Sequence, residues 1–141
     1  SAYHKTGAIA EAIARGIEES GVVKAYPQDI EHTSLGDIEM QLTLSSGLIV
    51  GSPTINQNIL LPIYKLFALI NPLRDKGKLA GGFGSYGWSG EAMKIIRANL
   101  ESLKLKYTDT DVFVKFSPAE EDLARAEAYG RQFAKELLRM A

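Results

Sequence analysis

Cysteine is absent from this 141-residue chain, so the chain can supply no disulfide, no thiolate ligand for a metal and no cysteine nucleophile. Histidine is scarce. His4 and His32 are the only imidazoles, too few for a buried metal centre built by this chain alone. An excess of one charge is missing too: 16 basic residues stand against 17 acidic ones, a formal net charge of -1, and no basic stripe marks a nucleic-acid footprint. No apolar run reaches the ~18 residues of a membrane span, and no signal peptide pattern opens the sequence. Neither nucleic acid nor membrane is therefore an expected partner, and the cytoplasm is the expected location. Repeats, linkers and low-complexity stretches are also lacking. A chain of this size, with 45% hydrophobic and 23% charged residues, is expected to fold around one core rather than to stay disordered.

What is present is an alternation of two hydrophobic spacings. Residues 7 to 19 set Ile9, Ile13 and Ile17 four apart, with Ala10 and Ala14 beside them, which predicts a helix with one apolar stripe. VVKAY (22 to 26) reads as a short strand, and a weakly periodic helix is expected at about 36 to 44. GLIVGS (47 to 52) is a continuous apolar run, as in a parallel strand buried on both faces. Leu60, Tyr64, Phe67 and Leu69 predict a helix over 60 to 73, and LAGGFGS (79 to 85) a further strand. Ala92, Ile96, Leu100 and Leu103 mark a helix over about 89 to 103, followed by the strand DVFVKF (111 to 116). The last helix opens at Ser117-Pro118-Ala119-Glu120, with an N-cap, a first-position proline and an acid, and should bury Leu123, Ala126, Phe133 and Leu137. Such a series predicts a doubly wound parallel sheet in a three-layer α/β/α arrangement, whose ligands gather at the carboxyl ends of the strands.

Three stretches would lie at those ends. In Ser1-Ala2-Tyr3-His4-Lys5-Thr6-Gly7, hydroxyls, the Lys5 charge and free amides before the Ile9 helix would form a phosphate cradle, although helix caps are the ordinary use of such residues. In Gly51-Ser52-Pro53-Thr54-Ile55-Asn56-Gln57-Asn58, hydroxyls and amides could bond a polar ring edge, or simply form a turn. The stretch GGFGSYGWSG (81 to 90) holds five of the 13 glycines and the only tryptophan. Gly84, Ser85, Tyr86, Gly87, Trp88 and Gly90 could bring backbone amides and aromatic faces against a flat ligand, or Trp88 could pack in the core. A phosphate site, a ring-edge site and an aromatic wall on one rim suit FMN. A dinucleotide is less suited, since the first helix lacks the G-x-G-x-x-G start with its downstream acid.

The motifs SAYHKTGAIAEAIARGI, LIVGSPTINQNILLP and KLAGGFGSYGWSGEA closely resemble the flavodoxin-like domain of flavodiiron proteins, also called A-type flavoproteins, and the similarity runs over essentially the whole chain. The resemblance implies that Ser1, Tyr3, Lys5 and Thr6 surround the FMN phosphate. It further implies that Pro53, Thr54, Ile55 and Asn56 line the ribityl and isoalloxazine groups, and that Ser85, Tyr86, Gly87 and Trp88 contact the ring. Where the family carries glycine and a small polar residue, this chain has His4 and Lys5; a positive φ at His4 would cost strain. Flavodoxin-like sheets run in the order 2-1-3-4-5, and no residues for the central strand precede Ser1, so that strand is expected in a longer parent polypeptide.

By the same resemblance, residues 1–141 are a flavodoxin-like FMN-binding domain of a larger flavodiiron protein. It would relay electrons from rubredoxin or a flavin reductase to a diiron centre that reduces oxygen or nitric oxide. That centre would sit in a metallo-β-lactamase-like domain of the same polypeptide, within a homo-oligomer. No side chain of this chain need act as acid, base or nucleophile, because the flavin carries the chemistry. The balanced charge fits a tethered partner better than one captured by long-range attraction. Two other readings stay open: a stand-alone NAD(P)H-dependent FMN or quinone reductase, and a cofactor-free module of the same fold.

Overall fold

The computed structural model describes residues 2–51, 60–85, 90–108, 112–114 and 119–140, with side chains placed for 7–51, 63–84, 93–108 and 119–140. In chain order the elements are α1 (Ala2–Glu18), α2 (Leu35–Leu44), β1 (Gly47–Gly51), α3 (Leu60–Leu69), α4 (Pro72–Asp75), β2 (Leu79–Ser85), α5 (Gly90–Ser102), β3 (Lys106–Tyr107), β4 (Val112–Val114) and α6 (Glu120–Met140). Every described ladder is parallel and every one involves β2. Its one edge pairs with β1 from Gly47↔Leu79 to Gly51↔Phe83. Its other edge pairs first with β3, at Leu79↔Lys106 and Ala80↔Tyr107, then with β4, from Phe83↔Val112 to Ser85↔Val114. Three steps along β2 thus face five along its neighbour, and two extra residues are taken up between β3 and β4.

Side chains of β2 alternate between two cores, as the pleat requires. Leu79 and Phe83 join Ile9, Ala12, Ile13 and Ile17 of α1 and Ala126, Tyr129, Phe133 and Ala134 of α6. Ala80 joins the opposite cluster, with Ile38 and Leu42 of α2, Ile63, Leu66, Phe67 and Ile70 of α3 and its end, and Met93, Ile96 and Leu100 of α5. The result is the doubly wound three-layer α/β/α fold that the spacing predicts. β1 contributes to both layers, Leu48 to one and Ile49 to the other, but only Val50 is fully buried. Among the described residues β1 has a strand on one edge only.

Several expectations are corrected. VVKAY forms no ladder; its amides turn to Ser20 Oγ and to Glu18 Oε2, and Val22 and Tyr26 are exposed. β-branched residues make a strand only where a neighbour satisfies the backbone, and among the described residues no strand stands beside them. The helix expected over 60 to 73 stops at Leu69, because Pro72 disfavours helical backbone at Asn71. Asn71 instead caps α4, accepting from Leu73 N at 2.9 Å. The buried stripe of α3 is Ile63, Leu66, Phe67 and Ile70, while Tyr64 faces outward with its ring edge-on to Phe67. On α6, Tyr129 and Gly130 lie in the core, and Leu123 and Leu137 are half-buried.

Two backbone features hold this arrangement. α1 and α6 cross so closely that a Cβ on Gly16 would lie 1.9 Å from Glu127 O, and one on Gly130 2.1 Å from Ile13 O. Each helix presents a glycine where the other's backbone passes. At the end of α5 the chain reverses through Lys104, at φ 70°, with Lys104 N donating to Glu101 O (2.9 Å) and Leu105 N to Leu100 O (3.1 Å). This is a Schellman cap with lysine where glycine is usual.

Two stability changes follow. Gly130→Ala gains about 1 kcal/mol of helix propensity but forces the crossing apart, and overpacking of this kind costs roughly 1–3 kcal/mol. A lowered urea midpoint is expected. Lys104→Gly removes the left-handed strain and should raise stability by about 1 kcal/mol in the same titration.

Candidate functional site

Because all ladders are parallel, the carboxyl ends of β1, β2 and β4, at Gly51, Ser85 and Val114, lie along one rim of the sheet. α5 begins at Gly90 and α6 at Glu120, within a few residues of the ends of β2 and β4. Helix starts present unpaired N–H groups and the positive end of the macrodipole. At the start of α6 one of these demands is met internally. The buried Asp122 carboxylate accepts from Ala119 N at 3.0 Å and from Arg125 Nη2 at 2.7 Å. The helix therefore starts later than the Ser117-Pro118 signal predicts; those two residues lie outside the described residues.

The sequence-predicted site residues fall mostly in the connections at this rim. Ser52, Pro53, Thr54, Ile55 and Asn56, between β1 and α3, lie outside the described residues, as do Tyr86, Gly87 and Trp88, between β2 and α5, and Ser1. Ser85 and Gly90 are the last residue of β2 and the first of α5. Tyr3, His4, Lys5 and Thr6 differ from expectation: they belong to the first turns of α1, not to a loop before it. No proline interrupts Ala2–Gly7, and the helical pattern extends back through it. His4 thus has helical backbone, not a positive φ. Helix geometry leaves the amides of Ala2, Tyr3 and His4, in the first turn of α1, without intrahelical partners.

Gly84 is buried in β2, and packing explains part of the glycine cluster. A Cβ on Gly81 would lie 1.9 Å from Tyr129 Oη, and one on Gly82 would lie 2.5 Å from both Met93 Cε and Tyr107 Oη. A Cβ on Gly84 would stand 3.1 Å from Met93 Sδ. Three of the five glycines in this stretch make room for large side chains of neighbouring elements.

The strongest electrostatic feature lies at the opposite end of the strands. Asp75, wholly buried, accepts from Arg74 Nε and Nη2 at 2.9 and 2.7 Å, from Lys78 Nζ at 2.7 Å and from Asn71 N at 3.0 Å. Arg74 also reaches Leu69 O and Thr43 Oγ1, and Lys78 reaches Leu42 O, so the cluster ties α2, α3 and α4 to the start of β2. Burial opposes the charged form of Asp75, but the bonds from Arg74, Lys78 and Asn71 outweigh it and hold its carboxyl at about 2. Sequence gave no signal for this cluster, since RDKGK reads as a solvated turn. Its place at the amino end of β2 makes it a structural clamp. Among the described residues, no three His, Asp or Glu side chains stand together as a metal site.

Residues 1–130 match the flavodoxin family. The chain belongs to that family. Within it, this flavodoxin-family chain is 34% identical over 137 residues to the type A flavoprotein fprA of Rhodobacter capsulatus, covering 97% of this chain and 32% of that protein. It is 35% identical over 138 residues to the flavo-diiron protein FprA2 of Clostridium acetobutylicum, covering 97% and 34%. Its fold superposes on the flavodiiron core of Flv1 from Synechocystis with a TM-score of 0.82 at 31% identity, over 100% of this chain and 35% of that one. On rubredoxin:oxygen oxidoreductase of Desulfovibrio gigas the TM-score is 0.84 at 28% identity, over 97% and 34%. The chain spans about a third of the length of these curated relatives.

FMN, the cofactor expected from the sequence, is that of the flavodoxin family. The described framework fits it: three strand ends share one rim, two helices start beside them, and the connections there carry hydroxyl, amide and aromatic side chains without a carboxylate. No helix among the described residues is long and apolar enough to cross a membrane.

The clamp carries its own prediction. The depressed pKa of Asp75 means that its stabilisation is complete above the unfolded-state value of 3.8 and is lost as pH falls through about 2. That contribution is worth roughly 2 kcal/mol. Asp75→Asn should lower stability at pH 7 by about 3 kcal/mol and flatten the pH dependence of the urea midpoint between pH 4 and 2. An unchanged acid limb would contradict this account.

Proposed function

We propose that this chain is an FMN-binding electron-transfer domain, taking electrons from a rubredoxin or flavin-reductase donor and passing them to a diiron centre that reduces oxygen or nitric oxide. The observation that carries the reading is the near-complete alignment of this chain with about one third of each flavodiiron relative. The remaining two thirds of those proteins leaves room for a second domain, and the names of the relatives describe two irons and, in one case, oxygen and rubredoxin. On this reading the diiron domain, of metallo-β-lactamase type, belongs to the same polypeptide and the whole assembles as a homo-oligomer.

FMN supplies the electron chemistry when bound. Residues of this chain bind and orient it. Ser1, Tyr3, Lys5 and Thr6, with the first amides of α1, hold the phosphate; His4 is carried along in the same turns. Ser52, Pro53, Thr54, Ile55 and Asn56 run beside the ribityl chain and ring edge. Gly84, Ser85, Tyr86, Gly87, Trp88 and Gly90 provide amides and aromatic faces along the ring, whose potential they tune by hydrogen bonding and exclusion of water.

Titration of the apoprotein with FMN, followed by quenching of flavin fluorescence, tests this reading. Trp88→Ala or Tyr86→Ala should weaken FMN by about tenfold, since ring contacts of this kind are worth roughly 1 kcal/mol or more. Thr6→Ala should weaken FMN but leave riboflavin, which lacks the phosphate, unchanged. Equal losses for both ligands would refute the phosphate assignment, and rapid NAD(P)H-dependent quinone reduction by the isolated chain would favour a reductase.

A further inference from the structure

α1 is anchored unevenly along its length. From Ile9 onward its stripe is buried, with Ile9, Ala12, Ile13 and Ile17 in the core shared with α6 and β2. Its first turns have no such anchor. Gly7 and Ala8 are only half-buried, and no atom stands within 4 Å of the place where a Cβ on Gly7 would lie. Glycine inside a helix also favours the unwound backbone. The first turn holds no acidic residue, whereas Lys5 brings a positive charge to the positive end of the helix dipole. Ala2–Gly7 is therefore the part of α1 that opens at least cost, through loss of backbone hydrogen bonds without loss of core.

Helical backbone over these residues is at odds with the phosphate contacts assigned to them. At ~100° per residue, Tyr3 and Thr6 fall on one side of α1 and Lys5 on the other, about 160° from Tyr3 round the axis. A phosphate group is far smaller than the ~10 Å width of a helix and cannot meet both sides at once. The amides of Lys5 and Thr6 are also committed within the helix, since only the first turn leaves its amides without intrahelical partners. We propose that Ala2–Gly7 is a conformational switch, which unwinds as far as Gly7 when the FMN phosphate binds. Its amides, with Tyr3, Lys5 and Thr6, then converge on the anion from an irregular loop, the kind of backbone whose successive N–H groups can form an anion-binding concavity. The inference rests on the FMN reading above and adds that ordering the phosphate site consumes the start of a helix. The affinity for FMN is then scaled by the fraction of chains whose first turns are open.

Backbone NMR of the chain during titration with FMN tests it. The Cα shifts of Tyr3 to Gly7 should begin at helical values and move to coil values as FMN binds, while those of Ile9 to Ile17 stay helical. Riboflavin, which lacks the phosphate, should leave all of them helical. Gly7→Ala favours the helix and should weaken FMN by about fivefold, with riboflavin bound as before. Shifts of Tyr3 to Gly7 that are not helical before FMN is added, or that remain helical with FMN bound, would overturn the proposal. So would a Gly7→Ala chain that binds FMN as tightly as the parent. Failure of the unsubstituted chain to take up FMN would instead remove the cofactor reading itself, and this inference with it.

Discussion

Every described strand pairs with β2, and that dependence governs the molecule. A strand with neighbours on both edges and helices on both faces has no freedom to shift: its amides are committed sideways and its side chains up and down. β2 meets these demands with unusually small residues. Leu79 and Phe83 fill one layer, while Ala80, Gly81, Gly82 and Gly84 leave space that Tyr129, Met93 and Tyr107 enter from neighbouring elements. The bulk of the core is thus supplied to the central strand by what surrounds it. The same economy recurs where α1 and α6 cross at Gly16 and Gly130.

The two ends of the strands are built for different work. At the amino end, the buried Asp75 carboxylate and the half-buried Arg74 and Lys78 form a charge cluster that joins three helices to the sheet. Such a cluster tolerates no ligand, because each lone pair of the carboxylate already has a donor. The carboxyl end is the reverse: three strand ends and the starts of two helices share one rim there. Rigidity is concentrated below and in the middle, where it fixes the strand ends at the opposite rim.

Much of this was legible in the chain itself. Ile9, Ile13 and Ile17 declared the buried stripe of α1, GLIVGS and LAGGFGS marked two parallel strands, seen at Gly47–Gly51 and Leu79–Ser85, and the motifs SAYHKTGAIAEAIARGI, LIVGSPTINQNILLP and KLAGGFGSYGWSGEA pointed to the family and the cofactor, because these signals are local. Tertiary structure decided what depends on a neighbour. VVKAY has strand composition but no adjoining strand among the described residues, and it forms none; Lys106–Tyr107 has little strand character but lies beside Leu79–Ala80, so it pairs. Tyr3 to Thr6 joined α1 because nothing stopped the helix. The glycines of β2 looked like a ligand's requirement and proved in part to be room for Tyr129 and Met93. A hydrophobic period is written in consecutive residues, whereas a hydrogen-bond partner or a clash is a property of two distant segments meeting, and only the folded chain brings them together.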